Sequence, residues 1–193
     1  MDNNLTRAFI CIDFPEEVIK EVARIQELIQ NKKFAGKLTE LENIHLTLKF
    51  LGEISQETLN QVQQKLSQAK FTEFEASLGQ VGTFSHHKSP RIVWIKIHGK
   101  SLRDLQKQID LALEPLFPKE QRFMSHLTLA RIKYVKDKKD FTDYIKKIHV
   151  KKIKFKVSSF KLKSSDLRSL GPIYTTLQKY SPNTQQSHYL HVF

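Results

Sequence analysis

The sequence predicts an α+β fold made of two similar halves. Three observations carry that prediction. β-rich segments alternate with amphipathic helical ones along the 193-residue chain. The tetrapeptide HLTL stands at His45–Leu48 and returns at His126–Leu129, 81 residues further on. No Gly/Ser/Pro linker and no low-complexity run divides the two copies.

Arg7–Phe14, RAFICIDF, is β-rich and reads as a strand. Pro15 suits the first position of a helix, and Val18, Ile19, Val22, Ile25, Leu28 and Ile29 recur at three and four residues, which predicts an amphipathic helix over Glu16–Ile29. IHLTLKFLG follows as a strand closed by Gly52. Ser55 opens a second helix with Leu59, Val62 and Leu66 on one face. FEASLGQVGTF and RIVWIKIHG read as strands separated by a turn-like SHHKSP. A third helix is predicted from about Ser101 to Leu116, with Pro118 stopping it. SHLTLARIKY is a strand, DFTDYIKKI a short helix, and Val150–Ser165 a half-buried strand with lysines on its outer face. PIYTTLQKY is the last strand. The expected organisation is one domain over residues 1–180 and a tail, 181–193, of no assigned role.

Composition is globular, with 39% hydrophobic and 27% charged residues. The longest apolar stretches, such as AFICI, are strand-sized and far below the roughly 20 residues that span a bilayer. The N-terminus lacks the pattern of a secretory signal. Cys11 is the single cysteine, so no internal disulfide or Cys-rich metal site forms, and its place in an apolar strand predicts a buried, inert thiol. The expectation is a soluble, cytoplasmic monomer. The net charge of +12 is concentrated: Arg131–Lys163 holds 13 Lys/Arg and 3 Asp. Such a face suits an RNA backbone, and a lysine-rich solvated face is the plain alternative.

Leucines at both even positions of HLTL suit a core face. His and Thr, two residues apart, then share the opposite face of a strand. A duplicated packing strand has no need of His and Thr there, whereas a duplicated site does. Side by side, the two strands would line one groove with His45, Thr47, His126 and Thr128. One imidazole can give a proton and the other take one near neutral pH. The hydroxyls can hold the group between them. This two-sided proton transfer is what opening a cyclic phosphodiester requires. Zinc is the rival reading, but threonine is a poor ligand and no cysteine or paired carboxylate completes a shell. No metal and no cofactor are expected. His86 and His87 read as exposed turn residues. His98, His149, His188 and His191 read as structural or surface groups. Trp94, Phe9 and Phe84 read as core, with base stacking as the alternative.

With both HLTL motifs intact, the sequence resembles the two-histidine (2H) phosphoesterases, and within them the RNA 2′,3′-cyclic phosphodiesterases, also called 2′-5′ RNA ligases. RAFICIDFP, NIHLTLKFLGE, SPRIVW, SHLTLARI and GPIYTTL also match, so the resemblance spans Arg7–Tyr180. It implies a bilobal fold in which two antiparallel sheets face a central groove, helices lie outside and a pseudo-two-fold axis relates the halves. It implies metal-independent hydrolysis of RNA 2′,3′-cyclic phosphate ends, tRNA halves being one source, to 2′-phosphomonoesters. By motif position His45 becomes the proton donor, His126 the proton acceptor, and Thr47, Thr128 and Arg131 the phosphate ligands. Strand parity objects to one of these: Arg131 is odd with respect to His126 and serves only if the strand bends there. Lys49, which has the parity of His45, is the alternative cation. Two other readings stand beside hydrolysis. One is a non-catalytic module that holds an RNA end. The other is 2′-5′ joining by reversal of the hydrolysis, since no P-loop or nucleotidyl-transfer lysine motif is present.

Overall fold

Apolar alternation becomes strand and the 3.6-residue period becomes helix through most of the chain. In the computed structural model, which describes residues 5–169 and 171–182, the first half contains β1 (Thr6–Asp13), α1 (Glu16–Gln30), β2 (Ala35–Leu38), β3 (His45–Ile54), α2 (Gln56–Ser67), β4 (Phe74–His86) and β5 (Ser89–His98). The second contains α3 (Lys100–Leu113), β6 (His126–Tyr134), α4 (Lys138–Lys147), β7 (Lys154–Val157), β8 (Phe160–Arg168) and β9 (Gly171–Tyr180). The apolar stripe of α1, Val18, Val22, Ile25 and Ile29, is wholly buried. Ser55 caps α2 by accepting from Thr58 N, and Asp137 does the same for α4 from Asp140 N. Among the described residues no helix is long and apolar enough to cross a membrane.

The strands form one nine-stranded antiparallel sheet, in which the two expected sheets are its four-stranded arms, β7-β4-β5-β6 and β3-β1-β8-β9, with β2 on the outer part of β6. They join edge to edge at β3 and β6 through one register pair, Leu46 with Leu127. A single core runs behind both arms, built from their inward side chains and the four helices.

Three expectations change. Val150–Ser165, expected as one strand, is two. Val157 ends β7 at one edge of the sheet, and Phe160 begins β8 in the other arm. SHHKSP is not a loop but a tight hairpin end whose two turn residues, His87 and Lys88, both take positive φ. The third helix ends at Leu113 rather than Leu116. The tail beyond residue 182 lies outside the described residues.

Candidate active site

β3 and β6 bring His45, Thr47, His126 and Thr128 to one groove of about 710 Å³. The motif leucines, Leu46, Leu48, Leu127 and Leu129, face away into the core and are at most 1% exposed. The alternation predicted from the tetrapeptide therefore holds within each motif.

It fails immediately after. Against β1, Thr47 faces Cys11 and Lys49 faces Ile10, leaving Leu48 unopposed. Against β5, Thr128 faces Trp94 and Ala130 faces Val93, leaving Leu129 unopposed. Each strand thus carries a β-bulge at the last leucine of HLTL. One extra residue shifts the side chains that directly follow it to the other face. Arg131 and its counterpart Phe50 consequently turn into the groove, whereas Lys49 and Ala130 are buried at 4% and 0% exposure, Lys49 still bordering the groove. The parity objection to Arg131 is removed by this bulge.

The same bulge turns Lys49, the alternative cation, towards the core and away from the face shared by His45 and Thr47. Its side chain is 4% exposed, and its ammonium pairs with Asp110 of α3 and donates to Pro118 O at 2.7 Å. The other Asp110 oxygen accepts from Gln106 Nε2 at 2.6 Å and from Glu120 N at 3.0 Å. On the opposite side, buried Gln26 of α1 donates to Thr39 O at 2.7 Å and to Leu129 O at 2.9 Å. A helix from each half therefore clamps the bulge of the other half. Sequence reading missed Gln26, Gln106 and Asp110. The available signal was a polar residue next to each helix's apolar stripe, beside Ile25 and Ile109.

Both imidazoles are oriented by a backbone carbonyl. His45 Nδ1 lies 2.8 Å from Asn43 O and His126 Nδ1 lies 2.7 Å from Met124 O. A carbonyl only accepts, so Nδ1 carries the proton and Nε2 holds the lone pair of the neutral ring. His45 Nε2 is 3.0 Å from the Thr47 hydroxyl, which donates to it in that state. Burial pushes the His45 pKa down from 6.5 to about 4, against the Asn43 carbonyl, which favours the charged ring. Lys163 and Arg131 add to the depression and Asp13 opposes it. Burial also lowers His126, against the Met124 carbonyl and with help from Lys96 and Arg131. Both rings are neutral at pH 7 unless a bound anion raises them.

The surroundings of the two histidines differ. Phe9 and Tyr174 pack on His45, with ring centroids 4.9 and 5.3 Å away, and Phe84 packs edge-on against His126 at 5.1 Å. Phe9 is core, as expected, and also groove wall. Phe84 and Trp94 are only half-buried. Across the strands, Asp13 faces His45 and Lys96 faces His126. Asp13 accepts from Lys161 at 2.7 Å and Lys163 at 2.6 Å, which hold its carboxyl below the usual range despite burial. The Cys11 thiol is fully buried, and burial pushes its pKa up to about 12, so it is inert as expected.

The cations of the basic segment do not share one face. Of residues 131–163 only Arg131 lines the groove. The reason is the break at Ser158–Ser159: the α4 lysines lie on the helix layer, Lys154 and Lys156 on an outer strand, and Lys161 and Lys163 on Asp13. The groove's further cations, Arg7, Lys37 and Arg122, come from outside that segment and carried no motif signal. His86, His87, His98 and His149 are exposed. His188 and His191 lie outside the described residues.

A family model described as LigT like Phosphoesterase matches residues 12–94 and 96–174, and each stretch contains one HLTL. The RNA 2′,3′-cyclic phosphodiesterase of Methanocaldococcus jannaschii is 35% identical over 176 residues, covering 90% of this chain and 99% of its own length. The protein of the same name from Thermotoga maritima is 33% identical, covering 89% and 92%. Among solved structures, TT0787 of Thermus thermophilus matches with a TM-score of 0.79 at 26% identity, over 91% of this chain and 97% of its own. E. coli LigT complexed with 3′-AMP matches with a TM-score of 0.72 at 23% identity, over 93% and 99%, a likeness of fold.

Proposed function

The chain belongs to the LigT-like phosphoesterase family, and on that premise we propose that it hydrolyses RNA 2′,3′-cyclic phosphate ends to 2′-phosphomonoesters without a metal, residues 1–180 acting as one bilobal domain. The observation that carries the reading is the convergence of two HLTL half-sites on one groove, each presenting an Nε2 whose Nδ1 is fixed by a carbonyl.

His126 is the base. Its neutral ring has the lone pair on the groove side and takes a proton from the attacking water. His45 is the acid and gives its Nε2 proton to the departing 3′-oxygen. It must first be charged, and the phosphate anion supplies what burial removes, because an opposite charge a few ångströms away favours imidazolium. The Asn43 carbonyl and Asp13 favour the same form. Thr47, Thr128 and Arg131 bind the non-bridging oxygens, where charge builds as water adds. Phe50, 70% exposed beside Phe9, offers a stacking face for the terminal base. The donor set is two imidazoles and two hydroxyls, which needs no metal to move two protons. A 5′-hydroxyl attacking in place of water, with the same 3′-oxygen departing, gives a 2′-5′ linkage at the same site.

The test is product analysis on a defined RNA 2′,3′-cyclic phosphate. A 2′-phosphate product is expected, insensitive to EDTA and lost in His45→Ala and in His126→Ala while the fold persists. A 3′-phosphate product, or undiminished turnover in both variants, refutes the reading.

A further inference from the structure

The front of the β7-β4-β5-β6 arm, the face opposite its core, continues outward from His126, and among the described residues no helix covers it: Trp94 and Lys96 are half-buried and His98 and Lys154 exposed. Directly facing residues share a side of a sheet, so the cross-strand pairs map this face. Lys96 faces His126. Trp94 faces Thr128 on one side and Gly82 on the other. His98 faces Ser77, and Ser77 faces Lys154. The result is a strip running from the catalytic strand across β5 and β4 to β7.

The strip is shaped as well as charged. A Cβ on Gly82 would lie 2.3 Å from the Trp94 ring, and one on Gly79 would lie 2.4 Å from His98 Nε2. The two glycines let both rings lie down on β4. Trp94 is also packed by Phe84 at 5.3 Å, so an aromatic floor adjoins His126. No carboxylate pairs with Lys96 among the described residues. Lys154 pairs with Glu75 at 2.9 Å, but both partners are more than half exposed, so this pair is readily exchanged for a phosphate.

Among the described residues the other arm lacks this surface. The counterpart of Lys96 is Asp13, which takes both nearby lysines for itself, and Lys163 and Phe9 are 9% and 3% exposed. We infer that a single-stranded RNA whose cyclic end occupies the groove runs its preceding nucleotides over this strip, past Trp94, Lys96 and His98 towards Lys154. Aromatic rings interleaved with cations on an open sheet suit a single strand, because every base can stack and every linkage carries charge. This rests on the hydrolytic reading for the placement of the RNA end.

The experiment compares a fluorescent single-stranded RNA of about eight nucleotides, ending in a 2′,3′-cyclic phosphate, with a nucleoside 2′,3′-cyclic monophosphate. The double variant H98E/K154E lies on the strip and outside the groove. It is expected to lose about tenfold in kcat/KM and in binding of the RNA, to show a shallower salt dependence, and to turn over the mononucleotide unchanged. K146E/K147E, on α4, removes more charge and is expected to alter neither. The inference is overturned if H98E/K154E binds RNA normally, if K146E/K147E weakens RNA binding as much, or if the longer RNA binds no better than the mononucleotide. Failure of the wild-type protein to hydrolyse either substrate counts against the hydrolytic reading. The anisotropy comparison of the two variants still decides the path.

Discussion

His45 offers a measurement of the site that requires no substrate. Its folded-state pKa of about 4 lies below the unfolded value of 6.5. Between those values the unfolded chain takes up a proton that the folded chain refuses, so acid favours unfolding. The stability is fully present above pH 6.5 and is lost as pH falls towards 4. From those two pKa values the loss between about pH 7.5 and pH 5.0 is about 2 kcal/mol. Other carboxylates and histidines titrate in the same window, so the quantity to read is a difference. His45→Asn keeps a polar group near the Asn43 carbonyl and cannot be charged. Urea unfolding of both proteins at the two pH values, with equal m-values, isolates the His45 contribution. Wild type is expected to lose about 2 kcal/mol more than His45→Asn over that interval. Parallel losses would show that the ring is not held neutral by burial, and the account of how the acid is charged by its own substrate would fall with it.

With both free-enzyme pKa values below 6.5, kcat/KM should peak on the acid side of pH 6.5 and decline above it as the donor loses its proton, while the kcat optimum should sit higher; a kcat/KM plateau through pH 8 contradicts this. Asp110→Asn leaves the Lys49 ammonium buried without its countercharge and should cost about 3–5 kcal/mol in denaturant melts, most of it recovered in K49M/D110L. Equal stability of wild type and Asp110→Asn would mean that the pair is not closed in solution. Arg131→Gln removes a charged donor from the groove and should lower kcat/KM by about 2–3 kcal/mol, roughly 30- to 160-fold, without moving the melting curve. Loss of stability in place of activity would put its side chain in the core, on the face that simple alternation gives it.

Most elements were legible because their burial is one-sided. Val18, Val22, Ile25 and Ile29 announce a helix, and HLTL announces which side chains face water. What escaped the sequence depends on single residues that leave composition untouched. A bulge at Leu48 or Leu129 adds no glycine and no proline, so apolar alternation runs through it while the geometry reverses. Ser158–Ser159 carries the chain from one edge of the sheet to the opposite arm, yet lysine alternation on both sides reads as one strand. β2 is four residues of AGKL, too short and too glycine-softened to register, and its pairing with β6 is set by tertiary contact. The buried Lys49–Asp110 pair joins positions 61 apart, a distance at which charge pattern carries no signal.

The duplication explains why the site has two rings, and the departures from symmetry explain why they can differ. The same bulge delivers Phe50 from one half and Arg131 from the other, so one backbone device yields a stacking face and a cation. The residue facing His45 is an aspartate, and the residue facing His126 is a lysine. A local negative charge helps an acid keep its proton, and a positive one helps a base stay free of it. Lys163 and deeper burial outweigh Asp13 at His45 until an anion arrives. In the proposed mechanism the direction of proton flow is thus set jointly, by a fixed asymmetry in the protein and by the charge of the phosphate. A symmetric pair of half-sites, with the same residue facing each histidine, would have no preferred direction until substrate geometry imposed one. Exchanging the pair, as in D13K/K96D, should therefore move the alkaline limb of kcat/KM more than it changes affinity for a 2′-phosphate product. An unmoved limb with the fold intact would leave substrate geometry as the sole source of direction.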